Sequence, residues 1–427
     1  MRIDEADLEI QREPFARPFG FKGAYFHEKW NAVVRLRDAD GAEAFGVGGL
    51  AVLWADAAVF AAHTEVGGNV LSLAILEHAL QLAKGKEYPD PLELLHDVFP
   101  PTHEYGKAVT GNSDLKPTFT LISMVALDNA AWMLHARQQG VTSFEDLVPE
   151  AFREVFAERQ THVAWAPLIT YKLPGEAIDA ILNQGAYFLK VKLGQPGDEG
   201  EMLEKDKARL TEVHDRAKDR STDATENGKL LYYLDANGRY REKDSVRRLL
   251  DHADAIGMLD QIALIEEPFA EELALDVEDL PSRIAADESV HKLEDIHRHA
   301  DHGYTALAVK PAGKTLSMAF LCVREAAKLR MPCYVADNAC VPTLVDWNKV
   351  VAAHLPAFPG LKGSVLESNG PDSYPNWDEQ LARLPHAGAS WLKPVDGRFV
   401  LDDEFYAASG GIFADPTPFS SMFRESE

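Results

Sequence analysis

The 427-residue chain carries 43 Lys and Arg against 68 Asp and Glu, a net charge of −25 at pH 7, and 46% of its residues are apolar. Nucleic acids and anionic membranes bind through basic patches, so this balance argues against both as partners, although the field inside a local site can still favour a small anion. The three cysteines (Cys322, Cys333 and Cys340) give neither a disulfide framework nor a zinc spacing. The first residues lack the apolar core of a signal peptide, and no apolar run is read as long enough to span a membrane, so a soluble cytoplasmic protein is expected.

Residues 1–150 mix strand-like runs (NAVVRLRD, EAFGVGGLAVLW) with helical ones (NVLSLAILEHALQLAKG). A long apolar helix, FTLISMVALDNAAWMLHARQQG, ends at Gly140. An α+β region is predicted there. From 151 to 384 short apolar runs alternate with charged amphipathic segments. Eight strands are predicted, at HVAWAPLI, YFLKVKL, LLYYLDAN, IALIEEP, SRIAADES, TALAVKP, MPCYVADN and LKGSVLES. Alternating β and α predicts a parallel sheet, and eight units predict a closed (β/α)8, TIM-like barrel. The segment from about 385 to 427, hairpin-like around Asp396-Gly397, is expected to return to the N-terminal region and complete a capping domain.

The last residues of these strands are unusual. Lys190 and Lys192 share one face of an apolar strand, about 6.6 Å apart, a costly arrangement unless anionic groups face them. The next strands end in Asp235 and Asn237, in Glu266 and Glu267, in Asp287 and Glu288, and in Lys310. In a barrel of this type catalytic groups come from the C-terminal ends of different strands. Converging carboxylates repel one another unless a hard divalent cation such as Mg2+ sits among them. A lysine acts as a base only when its pKa falls from about 10.4 toward about 7–8, and a neighbouring lysine or cation pushes it that way. Lys190 thereby gains a role beside Lys192, and it can also contact a substrate carboxylate. Singly, each residue has a plain alternative, such as a helix cap for a strand-end Asp or a solvated rim position for Lys310. Five in order, at successive strand ends, favour a site.

This constellation resembles the enolase superfamily, in its muconate-lactonizing-enzyme-like and dipeptide-epimerase-like branch, over most of the chain. The family's Lys-x-Lys, Asp, Glu, Asp and Lys match Lys190/Lys192, Asp235, Glu266, Asp287 and Lys310, and ALDNAAWMLHARQQG is also similar. The resemblance implies one Mg2+ on Asp235, Glu266 and Asp287, with Lys192 and Lys310 as acid–base groups. It further implies abstraction of the α-proton of a small carboxylate through an ene-diolate. A racemase or epimerase is the leading expectation. Dehydration of an acid sugar, or muconate-type cycloisomerisation, is the alternative from the same array. A non-catalytic metal-binding barrel is disfavoured because every acid and base position is filled.

Mandelate-racemase-like members use a strand-seven histidine, where this chain reads CYVADNAC; Lys310 instead points to the two-lysine branch. Dipeptide epimerases carry Asp-x-Asp on strand eight, where this chain has Glu367-Ser368-Asn369. An insertion, HDRAKDRSTDATENGKL, is expected at the periphery. Asn237, Asp337, Asn338, Glu367 and Asn369 are candidate substrate contacts. Glu267 and Glu288 are read as supports of the metal residues, and Lys22 in the cap as a contact for the far end of an anionic substrate. His297, His299 and His302 are read as solvated surface, Cys333 and Cys340 as small buried residues. A homo-oligomer is expected.

Overall fold

A long antiparallel hairpin opens the fold. Strands Glu5–Phe21 and Ala24–Arg37 pair along most of their length, and Glu43–Leu50 adds a third strand. This computed structural model describes residues 1–21 and 24–423, so Lys22 lies outside the described residues. The pairing register shifts between Pro14 and Phe19, a stretch that also holds Pro18. Proline offers no N–H to the ladder and is found at bulges.

The sheet packs on the helix Pro117–Gln139 with almost no clearance. A Cβ on Gly46 would lie 2.1 Å from the Ala126 carbonyl oxygen, and one on Gly48 would lie 2.6 Å from the Ala126 nitrogen. The helix starts with Pro117 in its first turn and stops at Gly140, whose φ of 68° is the left-handed cap that glycine adopts readily. Helices Glu65–Ala83 and Pro91–Thr110 pack alongside. Contrary to the sequence reading, Glu65–Ala83 is long and apolar enough to cross a membrane by length and composition, with 50% of its apolar window buried. Its buried side chains, among them Leu73, Leu76 and Leu80, belong to the protein's core.

Beyond residue 160 the chain forms the barrel. Its strands are His162–Ala166 continued by Leu168–Ile169, then Phe188–Lys192, Leu231–Asp235, Ile262–Glu266, Ile284–Ala286, Ala306–Val309, Cys333–Val335 and Ser364–Glu367. Each pairs in parallel with the next, and strand eight pairs with strand one, Leu366 opposite Trp165, which closes the ring. All eight fall within the predicted apolar runs. Strand one is divided at Pro167, whose carbonyl accepts the Lys190 N–H at 3.1 Å.

The C-terminal segment divides. Asp396 and Gly397, at φ 48° and 71°, turn the chain, and Arg398–Val400 then pairs antiparallel with strand one of the barrel. Farther on, the chain meets the cap: Arg35 donates to the Phe423 carbonyl at 3.1 Å, and Arg137 pairs with Asp415. The insertion begins in the last turn of the helix Glu199–Ala217 and is pinned by Glu226 N–H to the Gly360 carbonyl at 2.9 Å and by a Thr225–Leu361 bridge. These residues precede strands three and eight, so the insertion lies at the N-terminal ends of the strands, opposite the charged rim.

Cap and barrel are joined by buried polar contacts. Asp128 of the long helix accepts from the Ser317 backbone N–H at 3.1 Å and from the Ser317 hydroxyl, and Trp132 donates to that hydroxyl's oxygen at 3.0 Å. Burial pushes the Asp128 carboxyl up to about 7.

Candidate active site

Parallel register sets the charges side by side. Lys192 lies opposite Asp235 in the ladder, and Asp235 opposite Glu266, so strands two, three and four deliver cation, anion, anion at one level. Together with the cap, the strand ends line a pocket of about 470 Å³, part of it open to solvent. Every sequence-predicted site residue within the described chain lines it except Glu267. Glu267 sits behind the rim, with its carboxylate accepting the Asp287 backbone N–H at 2.8 Å.

Both strand-two lysines are paired with carboxylates. The Lys190 ammonium, fully buried, reaches Asp235 Oδ2 and Glu367 Oε2 at 2.9 Å each, the Tyr233 hydroxyl at 2.7 Å, and Glu266 Oε1 at 3.4 Å. Burial opposes its charge, but the three carboxylates outweigh burial and hold its pKa well above the ordinary lysine range. Lys192 donates to Asp235 Oδ2 at 2.6 Å and to Asn237 Oδ1 at 2.5 Å. Burial of Asp235 favours its acid form, yet Lys190 and Lys192 prevail and keep it ionised, below the usual carboxylate range.

Across the ring, Lys310 donates to Asp287 Oδ2 at 2.5 Å. Burial disfavours its charge, but Asp287 and Glu266 outweigh that and raise its pKa above the ordinary value. The same pairing, with help from Lys314, holds Asp287 below the usual range against the effect of burial. Glu266 behaves oppositely. Burial, reinforced by the charges of Asp235 and Asp287, pushes its pKa well up, and its Oε2 accepts from the phenols of Tyr233 and Tyr334, the latter at 2.5 Å. Glu267 is likewise raised, to about 8, by burial and the neighbouring Glu288.

The carboxylates that approach one another closely enough for a shared cation are Glu266, Asp287 and Glu288, with oxygens within 4.8 Å of each other. Opposite ligands of one octahedral Mg2+ stand about 4.2 Å apart. Asp287 Oδ1 and Glu288 Oε2 are buried acceptors with no hydrogen-bond partner, and only oxygen donors are present, which suits a hard divalent cation. The sequence reading placed Asp235 in this trio and Glu288 outside it. Here Asp235 turns one oxygen to the two lysines and the other to the Asn237 N–H at 3.1 Å, while Glu288 accepts from the Asn237 side chain at 2.8 Å with one oxygen still open.

At the far side, Asp337 links strands seven and eight. Its oxygens accept the backbone N–H groups of Asn338 at 2.8 Å, Cys340 at 3.0 Å and Asn369 at 2.9 Å. The Asn338 side chain accepts from the Cys340 thiol at 2.9 Å. All three cysteines are buried and free.

Several residues at the site carried no sequence signal. Tyr233 and Tyr334 look like core aromatics in apolar strands, although Tyr233, two residues before Asp235, had to share its face. Lys314 donates to the carbonyls of Asp287 and Val290 at 2.7 and 2.8 Å. From the cap come Phe19, Phe26, Ala51 and Trp54, with the Trp54 ring 4.4 Å from the Lys310 ammonium. Also from the cap, Lys29 is fully buried beside Gly49 and donates to the Asn338 carbonyl at 2.6 Å; burial lowers its pKa to about 8. His299 corrects the reading of the three histidines as solvated. It shares the buried helix face of Ile296, lies 2.8 Å from the Ser289 hydroxyl, and is lowered to about 4 by burial.

No protein-family model and no curated protein sequence matches the chain. Solved structures do. A mandelate racemase/muconate lactonizing protein from Herpetosiphon aurantiacus superposes with a TM-score of 0.64 at 16% identity, over 94% of this chain and 96% of that one. A dipeptide epimerase from Cytophaga hutchinsonii, complexed with Mg and D-Ala-L-Val, gives 0.64 at 15% identity, over 88% and 89%. An unknown member of the enolase superfamily from Enterococcus faecalis V583 gives 0.64 at 18% identity, over 99% and 97%. The likeness is one of fold: the chain shares the capped TIM-like barrel of these structures.

Proposed function

We propose that the protein is a Mg2+-dependent enzyme that removes the α-proton of a carboxylate substrate and returns it on the opposite face, as a racemase or epimerase does. The observation that carries this reading is the placement of Lys192 and Lys310. They sit four strands apart in an eight-strand ring, on either side of buried carboxylates with unpaired oxygens. The fold shared with racemases and epimerases supports it.

Glu266, Asp287 and Glu288, with Asp235 beside them, would hold the cation. When bound, it supplies positive charge against which a substrate carboxylate can accumulate the charge left by its α-proton. The lysines divide the proton work. Inversion needs one amine to accept the proton and one ammonium to return it. Lys310, held protonated by Asp287, is poised as the donor; it becomes an acceptor only when the charge of Asp287 is otherwise engaged. Lys190 places a fixed positive charge at the floor, locked by three carboxylates and a phenol. Trp54, over Lys310, excludes water from that side.

The test is α-deuterium uptake in D2O by the Mg2+-loaded protein on both enantiomers of a carboxylate it turns over. Lys310→Ala should keep exchange on the enantiomer served by Lys192 and lose inversion by about 10²–10⁴-fold, and Lys192→Ala should do the mirror image. An alkene or lactone product without inversion would assign the site to elimination or cycloisomerisation instead.

A further inference from the structure

Lys29 differs from the lysines of the rim. Lys190, Lys192 and Lys310 each meet a carboxylate. Among the described residues, the Lys29 ammonium has one hydrogen-bond partner, the Asn338 carbonyl at 2.6 Å. It is 0% exposed, and burial works against its charge. The cap sheet makes room for it, since a Cβ on Gly49 would lie 2.5 Å from Lys29 Cε. A buried ammonium without a paired carboxylate weakens a fold, so the place of Lys29 is explained by what it holds.

It holds the turn that follows strand seven. Asp337, Asn338 and Ala339 of this turn line the pocket. Ala339 stands at φ 58°, a left-handed conformation that glycine adopts freely and alanine does not. Three side chains pin the turn against that strain. Asp337 accepts the Asn338 and Cys340 N–H groups, Tyr374 donates to the Ala339 carbonyl at 2.6 Å, and Lys29 donates to the Asn338 carbonyl. The first two belong to the barrel strands and the loops that follow them. Lys29 comes from the cap, 309 positions away in sequence. The Asn338 side chain, set by this turn, lies 3.5 Å from the Ala312 carbonyl, two residues beyond Lys310.

We propose that Lys29 is a positioning residue: it fixes the strand-seven turn, so that the pocket wall of Asn338 and Ala339 forms only when the cap is docked. The part of this wall in substrate binding rests on the proposed α-proton chemistry; the pinning of the turn does not.

Hydrogen–deuterium exchange of the full chain at pH 7 reads the pin directly. In Lys29→Met the amides of residues 337–340 should exchange about tenfold or more faster, as expected for the loss of a charge-assisted hydrogen bond. The midpoint of chemical denaturation should stay the same or rise. Adding Ala339→Gly, which relieves the left-handed strain, should return part of the lost protection. A lower midpoint with faster exchange throughout the chain would make Lys29 a plain structural residue and overturn the proposal. Unchanged exchange at 337–340, or no return with Ala339→Gly, overturns it as well. Lys29→Gln, which keeps a side-chain donor without the charge, carries the same comparison should the methionine variant not fold. With the carboxylate used for the α-deuterium test, Lys29→Met should raise KM about tenfold and leave kcat nearly unchanged; an unchanged KM overturns the wall's part in binding. Loss of protection at the turn in a protein that exchanges no carboxylate α-proton leaves the pinning standing and overturns the α-proton reading.

Discussion

The barrel rim and the cap face one pocket with opposite chemistry. The rim presents Lys190, Asp235, Glu266, Asp287 and Lys310, all almost wholly buried, in contacts of 2.5–3.4 Å. The cap presents Phe19, Phe26, Ala51 and Trp54. Buried charges are tolerated only where geometry pairs them, because desolvation otherwise exceeds the attraction gained. Strand ladders supply that geometry: the register that sets Lys192 beside Asp235 is fixed by backbone pairing over whole strands. The cap is held by shape instead, through glycines that admit a helix. Within the pocket the ion pairs belong to the barrel strands and the apolar wall to the cap.

The contrast breaks most severely inside the cap. Gly46→Ala forces a methyl into the Ala126 carbonyl, and overpacking of this kind costs about 3 kcal/mol. Chemical denaturation should show that loss, and an unchanged midpoint would mean that sheet and helix can part freely. Lys29, the buried cap lysine under the rim, sharpens the boundary. Between pH 8 and about 10.5 the folded chain holds fewer protons at Lys29 than the unfolded chain, so its contribution to stability rises with pH across that window. The stability of wild type minus that of Lys29→Met should climb by about 3 kcal/mol there. A flat difference would place the ammonium in water. The smallest effect belongs to Lys116–Glu271, an ion pair at 3.0 Å between partly exposed side chains at the cap–barrel edge. Lys116→Ala should shift stability by less than about 1 kcal/mol, read by the same denaturation.

The same contrast governs what was legible in the sequence. The barrel strands stood out because each apolar run stops at a residue that apolar strands exclude: Lys192, Asp235, Glu266, Asp287 and Lys310 were visible as exceptions to their own segments. The strand Glu5–Phe21 was not visible, since Arg12, Glu13, Pro14, Arg17 and Pro18 break its alternation, and its pairing comes from the hairpin's long register. Trp54 and Lys29 acquire meaning only when the cap is laid on the barrel. Glu288 joins Glu266 and Asp287 within 4.8 Å because side-chain direction at a strand end depends on neighbours such as Asn237, which spacing does not encode. His299 was misread because its place on the helix before strand six, away from the strand C-termini, was taken as surface, whereas its spacing from Ile296 turns it inward.

The divided first strand has a consequence for how the molecule assembles. Ahead of Pro167, strand one bonds to strand eight on one side and to Arg398–Val400 on the other; only Leu168–Ile169 reaches strand two. Both partners of the first half are supplied by chain lying far downstream, and the pairing of Ala164 with Arg398 spans more than half of the sequence. Such long-range closure carries the heaviest loop entropy and so completes slowly. Until then His162–Ala166 is an open edge of apolar backbone, able to recruit a strand from another molecule. Refolding yield should therefore fall with protein concentration, and the barrel's seam, rather than its charged mouth, is where misassembly begins.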